Sequence, residues 1–401
     1  MTALELINKV KYSKLLYNLY FRVGGGMLGI AKFFVRPEDK LIVFVSFGGK
    51  KYDDSPRCIY EKIIEDHRFD DYRLVWAFIE PDKHSIPRGE KIKIDTPKYF
   101  ITLLKARCWV TNSGVERGLS FTGKNTFYLN TWHGTAIKKM GNDINSQTAS
   151  FKSKARSSHV DVMLAQGQYD VDLFSRVFNI PADRFRITGL PRNDELVICN
   201  NQEVKASLKR KLGIPDNKKV ILYAPTYREY SKDSGSNVVQ RFPISFNKLK
   251  SALGDECVFL LRAHYEVLRV LDVKEDSFLR NVSSYPNLNE LMLVSDVLVS
   301  DYSSIFFDYS ILGRPMLCYA YDYQEYQDKR GLYFDVRDAL KSNINNEEAL
   351  VEELSKALSN PESFIPLTVS FRSKYVTEYG NASKASADII YEAQINQSHN
   401  C

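Results

Sequence analysis

Short apolar segments alternate with amphipathic ones along the chain from Leu41 onward, and this alternation constrains the fold more than any other feature. Apolar runs bounded by turn residues are typical of strands buried on both faces, and the amphipathic stretches between them are typical of helices that cover such a sheet. The sequence therefore predicts an α/β chain with parallel sheets. The strand candidates are residues 41–48, 73–78, 107–114, 126–134, 160–167, 185–189, 219–226, 257–264, 296–304 and 315–320.

The strand candidates fall into two series, separated by a polar, helix-prone stretch at residues 200–212. A chain of 401 residues is longer than one hydrophobic core usually serves, so we expect two domains. Two such halves resemble the Rossmann-like domains of GT-B transferases, and this resemblance implies that both domains face a central cleft. We assign 1–36 as a basic amphipathic segment, 37–200 and 201–380 as the two Rossmann-like domains, and 381–401 as a C-terminal helix and tail.

The first 36 residues carry most of the net charge of +6, since six basic residues and one acidic residue lie there. Leucines and aromatic residues alternate with the lysines at helical spacing, which predicts a helix that contacts an anionic membrane surface. A helix packed on its own domain is the alternative. We find no apolar stretch long enough to span a membrane and no signal-peptide pattern, so we expect a cytoplasmic location. Nucleic-acid binding is not expected, because the rest of the chain is nearly neutral.

The six cysteines are scattered without a C-x-x-C pair, which predicts reduced thiols and neither a disulfide framework nor a zinc site. We assign no cofactor and no metal site. The motifs of P-loop, dinucleotide-binding, esterase and zincin proteins are also missing from the sequence, so those four functions lose support.

A histidine motif, N-T-W-H-G-T, follows the strand candidate at residues 126–134. Ligands of open parallel sheets bind beyond the carboxyl ends of the strands, so His133 is well placed for proton transfer near neutral pH. Gly134 lets the backbone approach a ligand, and Lys138 is positioned to attract a phosphate. A purely structural histidine is the alternative interpretation.

A second motif, S-D-Y-S-S-I-F-F-D, covers residues 300–308 at a transition from strand to helix. Asp301, Ser303 and Ser304 would lie at the positive end of the helix, and Asp308 one turn further on. Hydroxyls and free N–H groups at such a position favour anions, which predicts a phosphate site. Ordinary capping of the helix is the alternative, although one such residue would be enough for it.

Three further segments supply cations. Arg262 and His264 would share one face of a strand, where a cationic pair can neutralise a diphosphate. Arg228 follows the preceding strand candidate, residues 219–226, and its guanidinium matches phosphate geometry. Arg192 lies in the turn-rich segment I-T-G-L-P-R-N-D, a candidate hinge or cleft wall. Each of these residues would otherwise belong to a surface ion pair.

Together, five motifs resemble the CDP-glycerol glycerophosphotransferase family of wall teichoic acid and capsule synthesis: NTWHGTAIKKMG, ITGLPRND, YAPTYRE, LRAHY and SDYSSIFFDYSILGRPMLCYAYD. The resemblance runs from about residue 41 to residue 380. It implies a GT-B-like enzyme at the inner face of the bacterial cytoplasmic membrane. Such an enzyme transfers glycerol phosphate or ribitol phosphate from a CDP-activated donor to a hydroxyl of a polyprenyl-diphosphate-linked glycan, and releases CMP.

The resemblance also implies roles for individual residues. His133 looks like the catalytic base, residues 37–200 like the acceptor domain and residues 201–380 like the CDP-donor domain. The implied donor ligands are Arg228, Arg262, His264, Asp301, Ser303, Ser304 and Asp308, and the implied acceptor or cleft residues are Trp132, Gly134, Thr135, Lys138 and Arg192. The sequence departs from the family in having Ala136 and Ala263 where bulkier residues are common.

Two other functions fit the sequence. A GT-B glycosyltransferase that uses a nucleotide sugar would share the fold and a basic cleft, but would release a nucleoside diphosphate. A catalytically silent, membrane-bound partner of an assembly complex would tolerate substitution of His133. The sequence leaves open the choice of glycerol or ribitol, single addition or polymerisation, the acceptor glycan, the oligomeric state and any divalent-ion requirement.

Overall fold

The structure, a computed structural model, describes residues 14–117, 119, 121, 126–144, 159–226, 228, 244–263 and 274–399. Predictions that concern residues outside these ranges, including His264 and Cys401, lie outside the described residues. The chain divides into two compact units. The first contains residues 1–133, 150–192 and 381–401, and the second contains residues 134–149 and 193–380.

The described strands, in chain order, are β1 (Glu38–Val45), β2 (Arg73–Phe78), β3 (Glu90–Lys93), β4 (Ala106–Thr111), β5 (Phe127–Asn130), β6 (Val162–Ala165), β7 (Phe185–Ile187), β8 (Lys219–Tyr223), β9 (Cys257–Leu261), β10 (Leu279–Asn281), β11 (Val297–Ser300) and β12 (Met316–Cys318). The described helices are α1 (Lys14–Phe34), α2 (Asp54–Ile64), α3 (Pro97–Lys105), α4 (Gln168–Phe178), α5 (Asp194–Ile198), α6 (Gln202–Lys211), α7 (Phe246–Leu253), α8 (Leu288–Val294), α9 (Ile305–Ser310), α10 (Tyr323–Lys329), α11 (Val336–Leu340), α12 (Glu347–Ser359), α13 (Ile365–Tyr375) and α14 (Ala382–His399).

The first unit is built on a sheet of seven parallel strands in the order β3-β2-β1-β4-β5-β6-β7. This is the doubly wound Rossmann order, and it reverses direction between β1 and β4. The residues 41–45 of the central strand β1 are completely buried, as expected for a parallel strand covered on both faces. The helix α14 belongs to this unit, because Ala387 and Ile390 lie in its hydrophobic core and Gln394 donates to the Arg107 carbonyl at 3.1 Å.

The second unit is built on five parallel strands in the order β10-β9-β8-β11-β12, which reverses direction between β8 and β11. Its core joins apolar residues of these strands to α7 and α12, including Leu249, Leu350 and Leu354. Both units therefore repeat one arrangement, a parallel sheet whose strand order reverses beside its first strand. In such sheets the point of reversal opens a crevice at the carboxyl ends of the strands.

Capping residues explain where several helices begin and end. Thr96 caps α3 by accepting a hydrogen bond from the Tyr99 N–H, and Pro97 occupies the first turn, where its missing N–H has no cost. The helix α4 ends at Asn179, which adopts the left-handed conformation with φ of 52°. With these caps, α3 covers residues 97–105 and α4 covers residues 168–178.

The α/β fold with parallel sheets is confirmed, and each strand candidate overlaps a strand. Most candidates extend several residues past the observed strand, because the polar residues of the following loop were included. Two strands were missed, β3 and β10. Both lie at sheet edges and are short and polar, so they lack the apolar run that marks the central strands. The five described cysteines are free thiols.

The helix α1 exposes large apolar side chains along one face. Leu19, Val23, Met27, Ile30 and Phe34 are each at least half exposed and follow one another at intervals of three or four residues. The opposite face is half-buried, and Gly24 lies against Leu119 of the first unit. Among the described helices, none combines the length and the apolar character that crossing a bilayer requires.

Candidate active site

Each unit places polar residues just beyond the two strands that flank its point of reversal and beyond the next strand of the sheet. In the first unit these residues follow β1, β4 and β5, and in the second they follow β8, β11 and β12. Ligands of doubly wound sheets bind at this edge, so we treat the two sets as candidate sites.

Asn112 organises the candidate site of the first unit. Its side chain is completely buried, and its Oδ1 accepts a hydrogen bond from the Phe47 N–H at 2.7 Å. Its Nδ2 donates to Ser46 Oγ at 3.4 Å. The next residue, Ser113, accepts from the Gly48 N–H at 3.1 Å. The loop after β1 is therefore fixed to the loop after β4.

His133 contacts the same loop. Its Nδ1 lies 2.8 Å from the carbonyl oxygen of Asn112. A carbonyl oxygen can only accept, so Nδ1 carries the proton and Nε2 of the neutral ring is an acceptor. Burial lowers the pKa of His133, and the nearby Arg192 adds to this, while the Asn112 carbonyl and Asp54 oppose it. The imidazole is thus neutral at physiological pH, which is the state that a general base requires.

A buried ion pair lies behind His133. Arg192 Nη1 donates to Asp54 Oδ2 at 2.9 Å and to the His133 carbonyl oxygen at 2.8 Å. The side chains of Arg192 and Asp54 are only 16% and 7% exposed. One guanidinium therefore ties the start of α2 to the loop after β5.

Two aromatic residues with unusual backbone conformations flank the imidazole. The Trp132 ring centroid lies 4.0 Å from that of His133, and the Phe47 centroid lies 5.9 Å from it. Trp132 has φ of 50° and Phe47 has φ of 47°, both in the left-handed region that bulky residues rarely adopt. Such strained conformations concentrate at functional sites. The second face of Trp132 contacts Phe178, with ring centroids 4.6 Å apart.

Three of the predicted acceptor residues, Gly134, Thr135 and Lys138, belong to the second unit. Residues 134–149 belong to the second unit, where Lys138 pairs with Leu332 in a β-bridge and the Tyr333 N–H donates to the Ile137 carbonyl at 2.8 Å. Gly134 and Thr135 are buried. Of the predicted acceptor residues, only Trp132 and Arg192 therefore share a unit with His133.

In the second unit, Asp301 connects the loops after β8 and β11. Its Oδ1 accepts from the backbone N–H groups of Thr226 and Tyr302, at 2.9 and 2.6 Å. Its side chain is 2% exposed. The hydroxyl of Thr226 is buried and makes no hydrogen bond with any described residue.

Arg228 is enclosed. Its Nη1 donates to Asp301 Oδ2 at 2.9 Å, and its Nε and Nη2 donate to Asp322 at 2.6 and 2.9 Å. Tyr302, Tyr321 and Tyr326 surround the guanidinium, with ring centroids 4.9 to 5.4 Å away. Burial disfavours its charge, but Asp301 and Asp322 more than offset this, so the pKa of Arg228 is raised.

The surroundings of Arg228 differ from those that we expected. The sequence predicted a cation open to a phosphate, whereas the side chain is 1% exposed and its donors are directed at carboxylates. The residue ties together the loops after β8, β11 and β12. Its implied role as a donor ligand stays a prediction.

The serine turn after β11 and the start of α9 contain half-buried and buried polar residues. Ser303 and Ser304 are half-buried; Ser303 Oγ accepts from the Ile305 N–H at 3.3 Å, and Ser304 makes no capping hydrogen bond with its hydroxyl. Asp308 is 4% exposed and accepts from Asn193 Nδ2 at 2.8 Å. Asp308 is thus buried within the second unit, and its implied role as a donor ligand stays a prediction.

Arg262 follows β9, as expected, but its guanidinium is directed at backbone. Its Nη1 donates to the carbonyl oxygens of Val282 and Tyr285, at 3.2 and 2.8 Å. It therefore supports the loop after β10. Its predicted partner His264 lies outside the described residues.

Sequence reasoning missed several residues of these sites. Asp54, Asn112, Thr226 and Asp322 lie at strand or helix ends, where polar residues are common, and only their partners distinguish them. Those partners are distant in sequence, 138 residues away for the Asp54 and Arg192 pair. Within the described ranges, no three His, Cys, Asp or Glu side chains are grouped as a metal ion would require.

Comparisons with known sequences identify relatives across most of the chain. The sequence is 34% identical over 373 residues to the teichoic acid glycerol-phosphate transferase of Staphylococcus aureus (strain NCTC 8325 / PS 47), covering 89% of this chain and 94% of the relative. It is 35% identical over 368 residues to the teichoic acid poly(glycerol phosphate) polymerase of Staphylococcus epidermidis, covering 88% of this chain and 50% of the relative. The chain thus spans half the length of that polymerase.

Solved structures agree with these matches. A histidine-to-asparagine variant of the wall teichoic acid polymerase TagF has a TM-score of 0.81 and 33% identity, covering 90% of this chain and 91% of that chain. The same variant with CDPG has a TM-score of 0.83 and 32% identity, covering 93% of each chain. The model of the family described as CDP-Glycerol:Poly(glycerophosphate) glycerophosphotransferase matches residues 29–392. The chain therefore belongs to this glycerophosphotransferase family, as its five motifs indicated.

Proposed function

We propose that this protein transfers glycerol phosphate or ribitol phosphate from a CDP-polyol to a hydroxyl of a lipid-linked acceptor during teichoic acid synthesis, and releases CMP. Family membership and the names of the relatives support this function; they include teichoic acid transferases and primases for glycerol phosphate and for ribitol phosphate. The observation that carries it is His133, whose Nδ1 proton is directed at a carbonyl so that Nε2 is left to accept a proton.

The proposed reaction is a direct displacement at phosphorus. His133 Nε2 takes the proton of the acceptor hydroxyl, whose oxygen forms a bond to the phosphorus that carries the polyol. The bond from that phosphorus to the oxygen of CMP breaks, and CMP leaves with the electron pair. A positioned base contributes about 10²- to 10⁴-fold, and the remaining acceleration comes from orientation and electrostatics.

We assign donor binding to the second unit, where hydroxyl groups lie at the exits of β8 and β11. Thr226 Oγ1 makes no hydrogen bond with any described residue, and the Ser304 hydroxyl makes no capping bond, so both can donate to a phosphate. Arg228 holds these two loops together through Asp301. In this proposal Arg228, Arg262 and Asp301 shape the donor site, while Ser303, Ser304 and Thr226 contact the donor. A role for His264 and a GT-B-type cleft stay predictions.

We further propose that the protein works at the cytoplasmic membrane surface and docks there through α1. The exposed apolar face of α1 and the basic residues of the first 36 positions support this location. Apolar side chains in one arc of a helix, flanked by lysine and arginine, bind at the boundary between anionic headgroups and acyl chains. A lipid-linked acceptor would be presented at the same surface.

A product assay tests the proposed function. We expect CMP release when CDP-glycerol or CDP-ribitol is supplied with a synthetic lipid-linked acceptor, and mass spectrometry of the product reports which polyol was added and how many units. Release of a nucleoside diphosphate from UDP-sugars would instead indicate a glycosyltransferase. Without turnover of any donor, the protein would be a silent partner.

The variant His133→Gln tests the base in the same assay. We expect turnover to fall by about 10²- to 10⁴-fold while CDP-glycerol binding, measured by calorimetry, is nearly unchanged. His67→Gln is the matched control, because the His67 side chain is 97% exposed. Equal loss of donor affinity and turnover in His133→Gln would contradict the role of a base.

A further inference from the structure

Asp54 has a backbone conformation that helix capping does not explain. It is the first residue of α2, yet its φ is 62°, in the left-handed region. The N-cap of the helix is Asp53, whose side chain accepts from the Asp54 N–H at 2.8 Å. A left-handed conformation costs a non-glycine residue about 1 to 3 kcal/mol, and such strain persists where it serves a purpose.

That conformation accompanies an inward-facing carboxylate. The Asp54 side chain is 7% exposed, its Oδ1 accepts from the Ser55 N–H at 2.7 Å, and its Oδ2 accepts from Arg192 at 2.9 Å. Arg192 uses the same nitrogen to donate to the His133 carbonyl at 2.8 Å. A continuous set of polar contacts therefore runs from the start of α2 to the backbone of His133.

A base at this position needs a counter-charge. The side chain of His133 donates to the neutral carbonyl of Asn112, and among the described residues no carboxylate forms an ion pair with its ring. When Nε2 takes a proton, the imidazolium carries a full positive charge in a half-buried site. The charged groups around it are Asp54 on α2, Arg192 after β7 and the exposed Lys51, whose Nζ lies 5.7 Å from the Phe47 ring. Of these, only Asp54 has the sign that stabilises an imidazolium.

We propose that Asp54 and Arg192 form a charge pair that positions His133 and supplies the counter-charge for its protonated form. Asp54 provides the negative charge, and Arg192 moderates it while it anchors the His133 backbone. Both are positioning residues, since they act through His133. This inference rests on the proposed role of His133 as the base.

A histidine NMR titration of the full-length protein tests the pair without any substrate. The His133 resonance is assigned by its loss in His133→Gln. We expect the His133 titration midpoint to fall in Asp54→Asn, because the stabilising carboxylate is gone, and to rise in Arg192→Gln, because the opposing cation is gone. The double variant should lie between the two single variants.

Two variants serve as controls. Asp53→Asn removes the neighbouring carboxylate but keeps an oxygen that can cap the helix, and should leave the His133 midpoint unchanged. Asp54→Glu keeps the charge, and should keep the midpoint close to that of the unchanged protein if Asp54→Asn is too unstable to study. Shifts of the same sign in Asp54→Asn and Arg192→Gln, or an equal shift in Asp53→Asn, would overturn the proposal.

Kinetic measurements on the same variants distinguish a failure of this proposal from a failure of the proposed function. We expect kcat for CMP release to fall by about 10- to 100-fold in Asp54→Asn, less than in His133→Gln, with KM for the donor unchanged and partial rescue in Asp54→Glu. The acid limb of the pH profile should move with the NMR midpoint. An unchanged kcat beside a shifted midpoint would overturn the positioning role, whereas no turnover in the unchanged protein would contradict the function and not the charge pair.

Discussion

At the scale of single residues, the partners of a side chain decide its role more than its type does. Arg228 and His133 both follow strands at a point of reversal, and both are groups that phosphate chemistry uses. The structure leaves an acceptor nitrogen on His133, but it surrounds Arg228 with carboxylates and tyrosine rings. Sequence reasoning found both residues and not this difference, because Asp301 and Asp322 lie 73 and 94 residues further along the chain.

The variant Arg228→Met should destabilise the second unit by about 3 to 5 kcal/mol, because it leaves two buried carboxylates without their partner. Urea unfolding followed by circular dichroism would measure this loss, while tryptophan fluorescence would report the first unit alone, because Trp76, Trp109 and Trp132 all lie there. Donor affinity should fall with it, since the loops after β8 and β11 lose their connection.

Lys356→Met is the matched control for Arg228→Met. Lys356 also lies between two carboxylates, Glu352 and Glu353, but its side chain is 53% exposed on α12. Ion pairs in water contribute little, so we expect almost no change in unfolding. Similar losses in the two variants would show that burial is not what makes the Arg228 pairs important.

At the scale of elements, the loop after β1 depends on glycine for a close approach. Gly48 and Gly49 both have positive φ, at 62° and 83°. A Cβ on Gly49 would lie 2.2 Å from Ile94 Cδ1 and 3.2 Å from the Ala77 carbonyl oxygen, whereas a Cβ on Gly48 would have no atom nearer than 3.7 Å. The two adjacent glycines therefore share a left-handed backbone conformation, but only Gly49 lacks room for a Cβ atom.

We expect Gly49→Ala to cost about 2 to 4 kcal/mol, as the sum of a left-handed alanine and overpacking against the sheet. Gly48→Ala should cost about 1 to 2 kcal/mol, because only the left-handed backbone conformation is unfavourable for alanine there. Denaturant unfolding of both variants measures the difference. Equal losses would mean that the loop can shift away from Ile94 without cost.

The elements themselves were largely predictable from the sequence. Central parallel strands such as β1 and β8 are continuous apolar runs, and the caps of α3 are ordinary helix signals. The edge strands β3 and β10 were not predictable, since they lack an apolar run. The location of the candidate sites was predictable, because polar residues follow those strands in the sequence. The hydrogen-bond partners in these sites were not, because they depend on how distant loops meet.

At the scale of the whole molecule, the exposed apolar face of α1 is unfavourable in water and needs an explanation. Met27 is 66% exposed, Ile30 64% and Phe34 82%, all on one side of the helix. Contiguous exposed apolar surface usually marks an interaction site. The basic residues around it favour an anionic bilayer over a neutral partner.

The double variant Met27→Glu with Ile30→Glu should lose at least about tenfold in its partition to anionic lipid vesicles, measured by co-sedimentation, since two apolar side chains no longer enter the membrane. Turnover on a water-soluble acceptor should be unchanged, because the side chains of Met27 and Ile30 are exposed at the surface. Ile198→Glu is the matched control, as Ile198 is 71% exposed on α5. Equal vesicle binding by the double variant and the unchanged protein would contradict a role for α1.

The position of α14 has a consequence for synthesis on the ribosome. This helix follows the second unit in the chain, yet Ala387 and Ile390 complete the hydrophobic core of the first. Residues 193–380 therefore emerge, and have time to fold, while the older half of the nascent chain still presents an uncovered apolar surface. A stop near residue 380 would thus leave the core of the first unit uncovered, although most of that unit precedes residue 193 in the chain.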